Sequence, residues 1–551
     1  MSFLRFHAIL FQKEGEDNVK QTIYFGGSIL TMDRKNPRAE ALLVTEGKIT
    51  AVGSCKDLAA MAPDALQEDL QGKTLMPGFV DAHSHLPSMG LALQKCDLMG
   101  CTGFEDMLDR IRRFREEKGY THGEVLQCRG YDPASMKEGE HPTAKLLDSL
   151  GFDNPIVCTH QSGHVAVYNS KAMEVCGVDD SYICPEGGFA GRDEGGHLTG
   201  YFEEKAKAPF APLSSFTDEE YQQGVLEAQE YYLSYGITTA QNGSASGKKS
   251  LRLLMQLADA GKLKLDLVNY LDPVPKRPEI FEEIFALCGK GEYRNRMKIA
   301  GVKLFLDGSP QARTAWMRQP YENGDPDYCG YGTKTDEWVD KALDNAISHG
   351  LQPLAHCNGD AACQQYLDRW ESAVKRHGRG EDLRPIMIHA QTVGMDQLDR
   401  MPSLGMHPSF FVGHCWFWGD THLKNFGKAR GMRISPVKAA LDRGLVPSLH
   451  QDTPVTPPDM LHSVWCAVNR MTKSGVQLDM SCAVTPYEAL IAVTNGAAFS
   501  YFEEDTKGIL KPGAAADLVI LDADPTAADP MTIKDIRVLR TIKDGKTVFE
   551  R

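Results

Sequence analysis

The sequence lacks several features that would each have set a function class. No apolar run approaches the ~20 residues a membrane helix needs, so no membrane partner is expected. The 14 cysteines include no C-x-x-C pair, which leaves out a structural zinc finger and a thioredoxin-type motif. Reduced, mostly buried thiols are expected instead. In a chain of net charge -14, no block of Lys or Arg is set to neutralise a run of phosphates, so nucleic acid is not an expected partner. Internal repeats and low-complexity tracts are also missing. The opening segment, MSFLRFHAILFQKEGEDNVKQTIYF, carries a short apolar patch, then charges, and no small-residue cleavage site. A secretory signal is therefore not expected. Residues 1–20 are read as an N-terminal tail and the protein as cytoplasmic.

What is present is a large folding unit. A chain of 551 residues with 42% hydrophobic and 24% charged residues can bury a sizeable core and carry accessory domains. Its two ends resemble each other: IYFGGSILTMD and ALLVTEGKITAVG near the start, GILKPGAAADLVILDAD and VLRTIKDGKTVFER at the finish, read as short strands with Gly-containing turns. Neither end is large enough for its own core, so residues 21–77 and 505–551 are expected to pair into one composite β-sandwich.

Between them, residues 78–504 alternate apolar strand-like runs with amphipathic helical stretches. That pattern implies α/β architecture with parallel strands. Eight candidates can be counted: 79–85, 236–243, 265–271, 301–308, 352–360, 385–391, 407–414 and 446–452. Eight is the number a (β/α)8 TIM barrel requires. A further run, PIVCTHQSGH at 155–164, lies too far from either neighbour for a simple connection, so residues about 90–215 are read as an insertion after barrel strand 1. In barrel enzymes such insertions grow from the loops that cover the active site.

Metal-binding chemistry is suggested by His83 and His85, a His-x-His whose period-two alternation puts both imidazoles on one strand face. Alone this is a weak signal among 17 histidines. Recurrence strengthens it, because Lys303, His356, His389 and Asp452 each stand at or near the C-terminal end of a separate apolar run, the end that faces the active site in a barrel. Lys303 is the odd member, since a cation inside GVKLF is costly to bury. Either it pairs with an acid, Asp307 being the plain choice, or it is carbamylated by CO2 into a carboxylate able to bridge two cations.

In order along the chain, PGFVDAHSH, GVKLFLDGS, AHCNGDAA, IHAQ and HQDTPV resemble the amidohydrolase superfamily, in particular its family-3 branch of N-substituted formamide deformylase-like proteins. The similarity runs from the N-terminal β segment through GILKPGAAADLVILD. It implies His83, His85 and Asp452 as ligands of a first metal, His356 and His389 as ligands of a second, and a carboxylated Lys303 as the bridge. Zinc, as one or two ions, is the ion the resemblance implies, and imidazole and carboxylate donors suit it. A homodimer is the implied assembly. Pro310, Gln311 and Gln451 depart from commoner family versions; they spare the ligands and bear on the pocket.

The expected function is hydrolysis of a non-peptide C–N bond of a small molecule by a metal-activated hydroxide. Asp452 is the expected proton shuttle, accepting from water and delivering to the leaving amine. Tyr131, Asp132, His164 and Arg313 are candidate substrate contacts, Arg313 through a bidentate bond to a carboxylate. His414, Trp416, Phe417 and Trp418 in GHCWFWGD are candidates for an apolar substrate wall, with core packing as the plain alternative. Ester or lactone hydrolysis with the same site, and a catalytically silent binding or regulatory protein on the same fold, are the alternatives. All six ligand positions being filled argues against the silent one.

Overall fold

The computed structural model describes residues 21–551 apart from 162, 164, 246, 274–276, 278 and 379–381. The N-terminal tail expected at 1–20 lies outside the described residues. The chain is a mixed α/β protein whose centre is an eight-stranded parallel sheet. Each of the eight apolar runs contributes one strand: Phe79–Val80, Ile237–Ala245, Asp266–Leu271, Met297–Phe305, Gln352–Cys357, Ile386–His389, His407–Phe410 and Ser448–Leu449. They lie side by side in sequence order. Asp266–Leu271 and Ile386–His389 are buried at every position, as strands covered on both faces must be.

No ladder joins the first strand to the eighth among the described residues, but the backbones running on from them do bond. The His85 N–H donates to the Thr453 carbonyl at 2.8 Å and the Asp452 N–H to the His83 carbonyl at 3.3 Å. Helices between the strands bury one stripe each. In Asp360–His377 the stripe is Ala362, Cys363, Tyr366, Leu367, Trp370 and Ala373, at the three- and four-residue spacing of an amphipathic helix. Among the described residues no helix is long and apolar enough to cross a membrane.

Strands between 96 and 204 form a separate six-stranded sheet, where the run at 155–164 supplies Ile156–His160. The terminal strands form two further sheets. One is wholly N-terminal; in the other, Leu518–Leu521 pairs antiparallel with Thr74–Pro77. Tyr24, Leu42 and Val44 share a single core with Leu518, Ile520 and Ile542, so the two ends of the chain need each other to bury their apolar faces.

A buried ionic knot ties this terminal unit to the N-terminal ends of the parallel strands. Asp266, which begins the third strand, accepts from Lys507 Nζ at 2.6 Å and Lys543 Nζ at 2.7 Å, and Lys543 also reaches Asp517 at 2.7 Å. Lys507 continues to Glu503 at 2.8 Å, and Glu503 pairs with Lys298 at the start of the fourth strand. Burial pushes the Asp266 carboxyl up, but Lys507 and Lys543 outweigh it and hold the group below the usual carboxylate range. Glu503 is held low in the same way, by Lys507 and Lys298 against burial.

A depressed folded-state pKa gives stability that is present above the unfolded value near 4 and is lost as pH falls. Lys543→Met leaves Asp266 and Asp517 without a shared cation and is expected to cost about 3–5 kcal/mol at pH 7.5. The deficit should narrow as the carboxyls protonate below pH ~4. Chemical denaturation midpoints of both proteins at pH 7.5 and about pH 3, below the unfolded carboxyl value, check this; an equal gap at both would show that packing, not charge, is what Lys543 supplies.

Candidate metal centre

Five polar residues converge where the parallel strands end. His83 and His85 follow the first strand, Lys303 sits two residues before the end of the fourth, His389 ends the sixth, and Asp452 follows the eighth. Nitrogen and oxygen donors of His83, His389 and Asp452 lie within 4.8 Å of one another. Asp452 Oδ1 is 3.3 Å from His85 Nε2 and 3.5 Å from His83 Nε2, and Asp452 Oδ2 is 3.9 Å from His389 Nε2. Lys303 Nζ stands 3.0 Å from His83 Nε2. His356 flanks the group, its ring centroid 4.6 Å from that of His389.

The backbone is unusual at these positions: His389 has φ +72° and Asp452 φ +55°. Non-glycine residues in the left-handed region concentrate at functional sites, where the surroundings hold them. Close packing is equally specific at Gly243, where a Cβ would stand 2.5 Å from His83 Cε1.

Burial sets the charge states. His83 and His389 are pushed well below the ordinary imidazole value by burial first, then by the neighbouring imidazoles and Lys303. They are therefore neutral, with a lone pair to give. Burial pushes Asp452 up, but His85, His450 and Lys303 outweigh it, so the carboxylate stays ionised. Burial brings Lys303 down to about 8, with Asp452 pulling back. Asp81, one step below His83, is raised by burial to about 6.

Each imidazole is oriented by a partner. His83 Nδ1 is 2.6 Å from Gln241 Oε1, which can only accept, so the proton is on Nδ1 and Nε2 faces Asp452. Gln241 is itself fixed by bonds to the Ala82 carbonyl and the Tyr501 hydroxyl. His356 Nδ1 donates to Asp307 Oδ1 at 2.9 Å. His389 Nδ1 meets His450 Nε2 at 3.0 Å.

Neutral imidazoles around an ionised carboxylate form a donor set for a divalent cation. One further observation fits such a group: Asp452 Oδ1 is buried with no hydrogen-bond partner, a costly state for a carboxylate oxygen unless something else satisfies it.

Of the two readings of Lys303, one drops out, and the supporting residues escaped the sequence. An ion pair of Lys303 with Asp307 is not formed. Asp307 is saturated by His356 Nδ1 and by the backbone N–H groups of Asn358, Gly359 and Trp316, and Lys303 Nζ turns to His83 instead. Gln241, Ser409, His450 and Asp307 were not singled out as orienting groups. His450 was legible, since it lies two residues before Asp452 in HQD and so on the same strand face.

The other candidates lie outside the cluster. Tyr131 is fully buried in the 96–204 sheet with its hydroxyl 3.0 Å from His141 Nδ1, and Asp132 is 3.7 Å from His160. Arg313 donates to the Asn323 carbonyl. His414 is buried 2.9 Å from His422. Trp416 packs edge-on against Trp465, Phe417 against His462, and Trp418 against His414. Position 164 lies outside the described residues.

Comparison with known proteins agrees with this architecture. N-substituted formamide deformylase of Arthrobacter pascens is 26% identical over 97% of this chain and 99% of the relative. Protein LONG AFTER FAR-RED 3 of Arabidopsis thaliana is 27% identical over 96% of this chain and 92% of the relative. The crystal structure of an uncharacterized metal-dependent hydrolase from Pyrococcus horikoshii superposes with a TM-score of 0.75 at 28% identity, covering 93% of this chain and 99% of that one. Matched over residues 68–549 by the model of the Amidohydrolase family, the chain belongs to that family and is, at that level, a metal-dependent hydrolase.

Proposed function

We propose that this hydrolase cleaves a non-peptide, amide-type C–N bond of a small molecule at a centre held by His83, His85, His389 and Asp452, with Lys303 and His356 beside it. The observation that carries the proposal is the unpartnered Asp452 Oδ1 facing His83 and His85. The relation to N-substituted formamide deformylase supports the C–N class. Zinc is the ion proposed, and a cytoplasmic homodimer the working form. The eight-stranded sheet is taken to close as a (β/α)8 barrel, with the 90–215 region inserted after its first strand and the two termini forming a composite sandwich.

When bound, a divalent cation would supply Lewis acidity and lower the pKa of water from 15.7 to about 7. The chain's own groups do the rest. His83 keeps its proton on Nδ1 against Gln241 and offers Nε2. Asp452, kept ionised by His85, His450 and Lys303, accepts the proton of the attacking water and returns it to the departing nitrogen. That return matters for an amide, because an amine anion is too basic to leave unprotonated. Lys303, with its pKa near 8, is partly neutral at neutral pH. Its amine can add CO2 and release a proton, placing a carboxylate beside His83.

Asp452→Asn keeps the shape and removes the proton acceptor. It is expected to lower kcat by ~10²–10⁴-fold on any amide the wild type turns over. A panel of formamides, N-acyl amines, cyclic amides and esters run on metal-quantified protein checks this. Metal-loaded wild type that turns over none of them would remove the C–N assignment.

Metal removal gives a separate readout. Protein stripped with a chelator should melt lower than protein held at a hundredfold excess of zinc over Kd, which adds about 2.7 kcal/mol. Differential scanning calorimetry, with the zinc stoichiometry measured alongside, would show no shift if the centre binds no cation.

A further inference from the structure

Below the candidate centre the inner layer of the sheet is polar. Asp81 lies two residues before His83, His450 two before Asp452, and Gln241 and Ser409 come from the second and seventh strands. All four are fully buried. Barrel interiors are ordinarily filled here by bulky branched side chains, and a leucine at 450 would fill the space with no polar atom to satisfy. His450 instead has both ring nitrogens engaged: Nδ1 is 2.7 Å from Ser409 Oγ and Nε2 is 3.0 Å from His389 Nδ1. Its ring is boxed in by those of His389, His83 and Phe411, with centroids 5.1, 5.3 and 5.5 Å away.

The direction of the chain of bonds follows from the far end. His389 Nε2 faces Asp452, and for Nε2 to offer a lone pair the His389 proton must sit on Nδ1. His450 Nε2 then accepts that proton's bond, its own proton is on Nδ1, and Ser409 Oγ accepts it. Reversing His450 would set two N–H groups against each other. Partners of this kind behind a ligating histidine fix its tautomer and orientation.

We propose that His450, anchored by Ser409, is a positioning residue that holds His389 with Nε2 toward Asp452 and so sets how tightly the centre holds a divalent cation. The proposal rests on the metal-centre reading above, but concerns a residue outside the six ligand positions.

The test uses full-length wild type, His450→Leu, His450→Gln and Ser409→Ala, titrated with Zn2+ and Co2+ against a competing chelator, with melting of the metal-free proteins alongside. His450→Leu should weaken metal affinity by ~10–100-fold in protein that still folds without metal, with some fall in melting from the stranded His389 N–H and Ser409 hydroxyl. His450→Gln, whose amide oxygen can accept from His389, should restore most of the affinity and keep the visible Co2+ absorption bands where wild type has them. Ser409→Ala should fall between. If His450→Leu does not fold, the other two variants carry the comparison.

Each of the following results would overturn the proposal. Unchanged affinity in folded variants, or a lower metal-free melting point with unchanged affinity, would make His450 structural only. Altered Co2+ bands in His450→Gln would make it a direct ligand. Wild type that takes up neither cation would sink the metal-centre reading itself; uptake with no effect of His450→Leu sinks only this inference.

Discussion

Desolvation governs this molecule more than any single contact. An eight-stranded parallel sheet covered on both faces leaves no water for the polar groups inside it, so each must find a partner within the protein. Lys303, His83 and His450 are each fully buried. Their burial makes the imidazoles neutral and lowers the lysine toward neutrality. It also leaves the Asp452 carboxylate dependent on its neighbours. The chemistry available at the centre is thus a consequence of where the sheet places these residues, before any ligand is considered.

The same constraint is met differently at the other end of the strands. There Asp266, Asp517 and Glu503 are matched by Lys507, Lys543 and Lys298, and the knot is closed. Opposite charges satisfy one another, and the result joins the terminal β unit to the sheet. At the C-terminal ends His83, His389, His450 and Lys303 are buried around the Asp452 carboxylate, whose Oδ1 has no hydrogen-bond partner. A carboxylate oxygen left without a hydrogen-bond partner beside His83 and His85 marks a site shaped for something besides stability.

The parallel sheet was legible because buried parallel strands read as continuous apolar runs, such as LDLVNYL and PIMIHAQ, and helices as spaced stripes. His83, His85 and Asp452 were legible because alternation places them at strand ends. What escaped was pairing across strands. Nothing local to GITTAQNG says that Gln241 will turn its amide oxygen to His83, a residue 158 positions away. Nothing in GVKLFLDG says that Asp307 will be saturated by three backbone N–H groups and His356 instead of Lys303. Such bonds depend on register between strands, which the sequence pattern constrains only through which face is buried. Tyr131 shows the converse: an apparent binding residue in RGYDP is core in its own sheet.

At Lys303 burial and ligand geometry meet. Its Nζ, 3.0 Å from His83 Nε2, occupies the lone pair that His83 would offer a cation, because Gln241 already holds the proton on Nδ1. One lone pair serves one partner. An ammonium at Lys303 and a cation at His83 therefore exclude each other in this arrangement, by competition for the same nitrogen and by charge repulsion in a poorly solvated space. Deprotonation removes the repulsion, and carbamylation reverses it by putting a negative group where the positive one stood. The buried lysine whose cost made it the odd member of the sequence motif is, in the folded chain, the group whose charge would set whether His83 can take a cation.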